Sequence, residues 1–536
     1  MTDFTYIVVG GGSAGCVLAS RLSEDPTVRV CLVEAGKSDG GLAVRCPAGV
    51  AVMVPTRLHN WAFQTVPQAG LNGRCGYQPR GKVLGGSSAI NAMVYMRGHR
   101  HDYDHWLALG NAGWGYEDVL PYFKRSENNE TFANDFHGRG GPLNVAELRT
   151  DNPFPDHFIA AARQAGIAEN ADFNGAEQEG VGRYQVTQVG GERCSTARAY
   201  LGPARSRPNL AVVSDALATR LLLDGRRATG VQIIQGGVTR TLRASGEVLL
   251  SGGALQSPQL LMLSGIGPAR ALAGHGIAPV CDLAGVGQNL QDHIDYVMSY
   301  RSDCADLFGV AASAVTLAIA RIRQYRNQRR GMFTTNFAEA GGFVKSDASQ
   351  AIPDLQLHFV ISLLEDHARK LTLGLGFSCH VCLLRPASRG EVTLASADPR
   401  AAPRIDPRYY ADPSDLATMI RGFRLTRRIL EMPALAPFRG APLRHGGLET
   451  DSQIEATLRQ RSDTIYHPAG TCRMGSDAMA VVDDRLCVRG VGGLRVVDAS
   501  VMPTLVGGNT NAPVIMIAEK AADLVRGAAR ARGAGA

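Results

Sequence analysis

Residues 466–475, YHPAGTCRMG, hold His467 between a tyrosine and a proline. An isolated histidine there has three readings: a satisfied structural residue, a metal ligand or a general base. The base reading draws on its unperturbed pKa of about 6.5, close to working pH. The metal reading fails for want of a ligand set around it. Further on, Asn511-Ala512-Pro513 opens the run VIMIAEKAADLVRGA. Proline is favoured in a first helical turn and the asparagine before it is suited to capping. His101 and His105, in RGHRHDYDHW, stand one helical turn apart, a spacing that metal sites use, although a surface or packing role suits them better. His358, in DLQLHFVIS, lies on an alternating stretch that puts Leu355, Leu357 and Phe359 on one face and Gln356, His358 and Val360 on the other. If the second face lines a pocket, His358 touches substrate. Cys379 and Cys382 form one CxxC with no second pair nearby, and flanking alternation reads them as buried thiols on a strand.

These groups need a frame, and the N-terminal residues supply the first part of it. FTYIVV is a short apolar strand, GGGSAG follows at 10–15, CVLASRLSED has helical spacing, and VRVCLVEAG gives a second strand ending at Glu34. Strand, glycine turn, helix, strand and acid form a dinucleotide-binding pattern. Gly10 permits the tight turn, Gly12 lets the main chain approach a pyrophosphate, and Gly15 permits close helix–strand packing. The helix start then holds phosphates through its free N–H groups and dipole. Glu34 is placed to accept hydrogen bonds from a ribose. This pattern does not separate NAD from FAD.

The chain has 536 residues, too many for one ordinary core, and a composition of 45% apolar and 20% charged residues typical of globular proteins. A net charge of +7 permits an anionic partner, but the basic residues are scattered and no aromatic-interleaved block accompanies them, so no nucleic-acid partner is expected. Eleven scattered cysteines argue against a disulfide framework. The sequence enters a strand at once, leaving no room for a signal peptide, and has no apolar run of membrane-spanning length. A cytoplasmic location follows, with contact to the inner face of the membrane as an option.

Four stretches bear on the cofactor. GKVLGGSSAINAMVYMRG at 81–98 and GALQSPQLLMLSGIGP at 253–268 resemble the two signature motifs of the glucose–methanol–choline (GMC) family of FAD oxidoreductases. YHPAGTCRMG and VVDASVMPTLVGGNTNAPVIMIAEKAADL at 496–524 resemble its C-terminal active-site block, and the middle, about 300–450, matches more loosely. The resemblance implies an α/β protein overall, a Rossmann-like FAD-binding domain with a second substrate domain built on an antiparallel sheet. It implies FAD contacts at Ser13, Ala14, Ala35, Trp61, Val83, Gly86, the Asn91–Val94 run with Met93, Ala218, Tyr466, Asp498, Ala499, Pro513 and Val514. Members with covalent flavin carry histidine where this sequence has Ile90, so the FAD is expected to be non-covalent.

The resemblance places His467 at the family's catalytic histidine and Asn511 at the partner position, where some members have a second histidine. Proton removal then falls to His467, and Asn511 orients the alcohol oxygen. The implied reaction is oxidation of an uncharged primary alcohol to the aldehyde, with a quinone or other non-oxygen acceptor. An oxidase using oxygen, a choline dehydrogenase and a flavin-containing hydroxynitrile lyase are the alternatives. YHPAGTCRMG resembles the bacterial alcohol and polyethylene glycol dehydrogenases of the family more than its choline dehydrogenases, and aromatics are only 6%, few for a cation box. Residues 1–155, 195–295 and 455–536 are expected to form a discontinuous FAD domain, with 156–194 and 296–454 as the substrate domain. Between them, 306–332 starts apolar and then carries Arg321, Arg323, Arg326, Arg329 and Arg330. It is read first as a solvated helix over the pocket mouth and second as a peripheral membrane contact. The oligomeric state is not readable.

Overall fold

An apolar, β-branched run suits a strand covered on both faces. FTYIVV accordingly lies within the central strand Asp3–Val9, with Ile7 and Val8 fully buried. The structure, a computed structural model, describes residues 3–310 and 312–533; the side chains of 311–318 and 531–533 lie outside the described residues. Helix Ser13–Leu22 leads from the central strand to Val30–Val33, which pairs beside it in parallel with Tyr6 opposite Val30 and Val9 opposite Val33. The sheet runs Leu210–Val213, Val30–Val33, Asp3–Val9, Val238–Leu250, Arg227–Gln235, Ala216–Asp224, and Leu494–Val496 adds to the end of Val238–Leu250. Its core takes in the C-terminal helix, Asn511–Gly533, through Ile515, Met516 and Ala518.

The stretch NLAVVSDALATRLLLDG holds two strands. Leu210–Val213 continues the parallel order, and Ala216–Asp224 enters an antiparallel meander. The break falls at Asp215, left-handed at φ +51°, whose N–H bonds the carbonyl of Gly36 at 2.9 Å.

The second large sheet is antiparallel at every pairing. Its order is Pro442–Leu443, Ile294–Ser302, Leu375–Leu383, Leu355–Val360, Ala338–Val344, Gly180–Arg183, with Asp463–Thr464 beside the start of Ile294–Ser302. One face packs on helices Phe154–Gln164 and Pro413–Leu430 through Leu355, Leu357, Phe359, Phe377 and Val381. Strand Gly390–Thr393 sits in a separate three-stranded sheet with Gln288–Leu290 and Arg404–Asp406.

The period of two also settles the CxxC. Cys379 faces the helices and Cys382 the other side of the sheet, so the two thiols cannot act together, and burial raises both of their pKa values. His101 and His105 stack at 6.1 Å between ring centroids on the exposed side of helix Arg100–Ala108, and no metal-binding cluster occurs among the described residues. Residues 306–332 contain helix Ala312–Gln328. Tyr325 anchors it, while Ile319, Ile322, Arg323 and Arg326 point outward. No helix among the described residues is long and apolar enough to cross a membrane.

Candidate active site

A cavity of about 570 Å³ runs between the two sheets, lined at one end by Gly10, Gly12 and Glu34 and at the other by His358 and His467. At the first end the glycines differ in what they do. Gly10 is left-handed at φ +101°, and a Cβ on Gly15 would lie 1.8 Å from the carbonyl oxygen of Gly10, so both are required by the turn itself. Gly12 is different: its Cβ would meet only Gly86 Cα at 3.9 Å and Ser251 O at 4.0 Å, ordinary contacts. The protein has room for a side chain there, so the bare backbone serves whatever fills the cavity. Gly12 also precedes helix Ser13–Leu22 without a side-chain cap, leaving first-turn N–H groups for a phosphate. Ser13, Ala14, Ala35 and Gly86 line the same end. The Glu34 carboxylate accepts from Gly11 N–H at 2.8 Å and Gly36 N–H at 2.7 Å, and burial pushes its pKa up to about 7.

Trp61, Asn91, Met93, Val94, Ala218, Asp498, Ala499 and Val514 also line the cavity. Val83 and Pro513 do not: Val83 packs with Val44, Met53 and Ile90 behind the wall, and Pro513 is buried in the first turn of the C-terminal helix. Gly15 likewise lies behind the cavity, consistent with its packing role. Asp498 is a clamp. Its carboxylate accepts from Gly253 N–H at 2.8 Å, Ser257 O–H at 2.5 Å and Ser500 N–H at 2.8 Å, tying the second signature stretch to the C-terminal block. Asn91 Oδ1 accepts from its neighbour Met93 N–H and from the buried Arg193. An uncapped helix start, a glycine with free space above it and a long cavity with a second helix start at Asn511 together fit FAD.

At the far end, His467 belongs to a chain of hydrogen bonds whose direction is fixed by its terminus. His293 Nε2 lies 3.0 Å from the carbonyl oxygen of Leu384, which can only accept, so Nε2 carries hydrogen. Burial drives the pKa of His293 down to about 3 and keeps it neutral, so its Nδ1 accepts. That atom lies 3.0 Å from His467 Nδ1, which must therefore be the donor. His467 is left with its lone pair on Nε2. Facing Nε2 at 3.3 Å is Asn509 Nδ2, and the amide is held in that orientation by Gln356, whose Nε2 donates to Asn509 Oδ1 at 3.0 Å. Burial, then the nearby His293 and His358, press the pKa of His467 well below 6.5, so it stays an unprotonated acceptor. Its main chain is fixed as well: Tyr466 is left-handed at φ +77°, Arg80 donates to the Tyr466 carbonyl at 2.6 Å, and Asp292 accepts from His467 N–H at 2.9 Å.

This geometry corrects the partner expected for His467. Asn511 is not beside it; Asn511 Oδ1 accepts from Ser13 O–H at 2.7 Å, joining the two helix starts at the dinucleotide end. The reason is local. Asn511 is already the first helical residue and shares the position of that helix end, whereas Asn509 lies in the loop that approaches the antiparallel sheet. Asn509 and His293, the groups the structure sets on the His467 ring, were not singled out in the sequence, and Gln356 was named there only for its strand face. The histidine of NLQDHID and the first asparagine of GGNTN were the available signals, but their partner lies 174 and 42 residues away.

His358 and Val360 do line the cavity, on the sheet face opposite the helices, and His380, Leu363 and Phe337 line it with them. Its acidic lining residues are Glu34 and Asp498, both on the dinucleotide-side sheet or its clamp. Asp295, behind His380, is 2.6 Å from His380 Nδ1.

Comparison with known proteins agrees with this geometry. Residues 4–295 and 386–518 match the N- and C-terminal models of the GMC oxidoreductases. The chain is 48% identical over 526 residues to an alcohol dehydrogenase [acceptor] of Pseudomonas putida, covering 97% of this chain and 95% of that one. It is 45% identical over 536 residues to the mitochondrial choline dehydrogenase of Mus musculus, covering 98% and 90%. Among solved structures, pyridoxine 4-oxidase from Mesorbium loti superposes with a TM-score of 0.87 at 30% identity over 97% of this chain and 99% of that one. An FAD-dependent oxidoreductase from Chaetomium thermophilum gives 0.89 at 30% identity, over 98% and 100%.

Proposed function

The chain belongs to the GMC oxidoreductase family, and from that premise we propose that it oxidises an uncharged primary alcohol to the aldehyde, with His467 as the base. The observation that carries this reading is the lone pair on His467 Nε2, fixed by His293 and directed at Asn509 inside a cavity that suits FAD. The alcohol hydroxyl displaces the Asn509 amide from His467 Nε2, donating its proton to that nitrogen and accepting from Asn509 Nδ2, which stabilises the developing alkoxide. FAD, when bound, supplies the two-electron acceptor for the hydrogen on the alcohol carbon. Gly12 and the two helix starts joined by the Ser13–Asn511 bond would hold its pyrophosphate, and Glu34 its ribose. Ile90 offers no nucleophile, so the flavin is held without a covalent bond.

A neutral substrate is favoured over choline because, among the described residues, no carboxylate lines the His467 end of the cavity to offset the charge of a quaternary ammonium group. The acids lining the cavity belong to its dinucleotide end, and Asp295 is engaged by His380. The reduced enzyme passes electrons to a quinone or another non-oxygen acceptor. The outward Ile319, Ile322, Arg323 and Arg326 suit peripheral contact between a cytoplasmic protein and an anionic membrane. The test is flavin absorbance under argon after adding a medium-chain primary alcohol. Bleaching that a soluble quinone reverses and air does not supports the dehydrogenase. Rapid reversal by air with peroxide formation assigns an oxidase instead, and absence of bleaching with every primary alcohol rejects the reading.

A further inference from the structure

We propose that Arg193 is a positioning residue that makes the flavin easier to reduce, its buried positive charge offsetting the negative charge that reduction leaves in the cavity. This rests on the FAD that the family uses and not on which alcohol is oxidised. Among the described residues three arginines are only 2% exposed: Arg97, Arg193 and Arg495. Two of them have a carboxylate at hand, Arg97 meeting Glu127 at 2.5 Å and Arg495 meeting Glu247 at 2.6 Å. Arg193 forms no ion pair among the described residues. Its Nε donates to the carbonyl of Val44 at 3.0 Å. Its Nη1 donates to the carbonyls of Ser88 at 3.3 Å and Asn91 at 2.6 Å, and to Asn91 Oδ1 at 2.9 Å. Nη2 is buried without a partner. Burial pushes the pKa of Arg193 down to about 9, so the guanidinium keeps its charge at neutral pH. A buried charge with no counter-charge is costly, and Arg97 and Arg495 show how this chain otherwise offsets it.

The residues that Arg193 holds show where its charge acts. Arg193 stands behind the cavity wall, and Ser88 and Asn91, on which it is bonded, line the cavity. Asn91 Oδ1 also accepts from Met93 N–H at 3.0 Å, and Met93 is left-handed at φ +58°, a conformation that a residue with a side chain keeps only where its surroundings hold it. From there the chain leads towards His467: Asn336 Nδ2 donates to the carbonyl of Ala92 at 2.9 Å, and Val94 packs with Val360 and Ile465. The pyrophosphate, the part of FAD that is always anionic, is assigned to the opposite end, at Gly12 and the joined helix starts.

The charge balance of the reaction supplies the missing counter-charge. A hydride carries two electrons and one proton from the alcohol carbon to a neutral ring, while the hydroxyl proton goes to His467, so the flavin gains one negative charge. A guanidinium fixed behind Asn91 is already in place when that charge arrives and stabilises the reduced state over the oxidised one.

The test is an anaerobic reductive titration of the FAD-loaded wild type, Arg193→Lys, Arg193→Gln and Arg193→Met against a reference dye, with no alcohol present. In Arg193→Gln and Arg193→Met the ratio of reduced to oxidised flavin at a given dye potential falls at least about tenfold, a drop of about 30 mV for a two-electron couple. Arg193→Lys stays within about threefold of the wild type. Glutamine keeps N–H donors for the carbonyls of the turn, so its loss separates charge from support. Where a neutral variant binds FAD too weakly to titrate, its dissociation constants for oxidised and for reduced FAD replace the potential, and the reduced form loses at least about tenfold more affinity. An unchanged potential in the neutral variants overturns the proposal, as does an equal loss of affinity for both forms, which assigns the charge to the pyrophosphate or to the fold. A shift in Arg193→Lys as large as that in Arg193→Met overturns it too, by reducing Arg193 to a support for the turn. Failure of every alcohol to reduce the wild-type flavin rejects the alcohol-oxidising reading alone and leaves these potentials to be judged by themselves.

Discussion

Replacing His293 by leucine removes the acceptor that holds the hydrogen of His467 on Nδ1. Two terms then favour the wrong tautomer. The lost hydrogen bond is worth about 1–1.5 kcal/mol, and an unpaired buried N–H costs about 1–3 kcal/mol, which the ring avoids by moving its hydrogen to Nε2. The lone pair leaves the face that meets the alcohol. Both terms describe one lost bond and are not summed; with a shift of about 1.5–3 kcal/mol, flavin reduction falls roughly ten- to hundredfold. The assay is anaerobic stopped-flow reduction by a primary alcohol, with FAD content and circular dichroism recorded on the same preparation. His293→Asn offers Oδ1 to His467 and an amide N–H to Leu384, so it recovers part of the loss, which a general packing defect does not predict. A His293→Leu rate within twofold of wild type refutes the tautomer reasoning. A loss as deep as that of His467→Ala refutes it in the other direction, by making His293 the proton acceptor.

The remaining predictions concern the two ends of the cavity. Gly12→Ala folds with an unchanged Tm, since its Cβ meets nothing closer than 3.9 Å, but its FAD dissociation constant rises at least about tenfold; tight FAD retention in that variant contradicts the role given to this glycine. Asn509→Ala lowers the flavin reduction rate by about 2–3 kcal/mol of barrier with FAD bound normally, whereas Asn511→Ala chiefly weakens FAD through the Ser13 contact; the reverse pattern would restore Asn511 as the partner of His467. The pKa of His467 is depressed, so the neutral base persists as pH falls through 6.5 and is lost only below it. The acid limb of flavin reduction accordingly lies below pH 6.5, and a limb centred at or above that value opposes the desolvated site.

Local pattern carried some elements of this protein far and others not at all. The FTYIVV–GGGSAG–Glu34 unit is legible because every part lies within one stretch of chain and each glycine answers a local requirement. The alternation about His358 is legible for the same reason, and the cavity does lie on the face that carries Gln356, His358 and Val360. In NLAVVSDALATRLLLDG the strand-like pattern does not report the break, because Asp215 adopts a left-handed turn inside it. Asn509 and Asn511 are two residues apart in one motif, and only the start of the C-terminal helix separates their directions. His293 gains its significance from a contact that spans 174 residues, and no periodicity reports such a contact. The same holds for Gln356, which reads as an unremarkable strand residue until the sheet sets it against Asn509.

The most direct measurement loads wild type and His467→Ala with FAD, removes oxygen and follows flavin absorbance after adding a medium-chain primary alcohol. The account predicts bleaching in the wild type and a rate at least roughly a thousandfold lower in His467→Ala, with FAD still bound in both. Comparable bleaching in the two proteins, or none in the wild type with any primary alcohol, contradicts it.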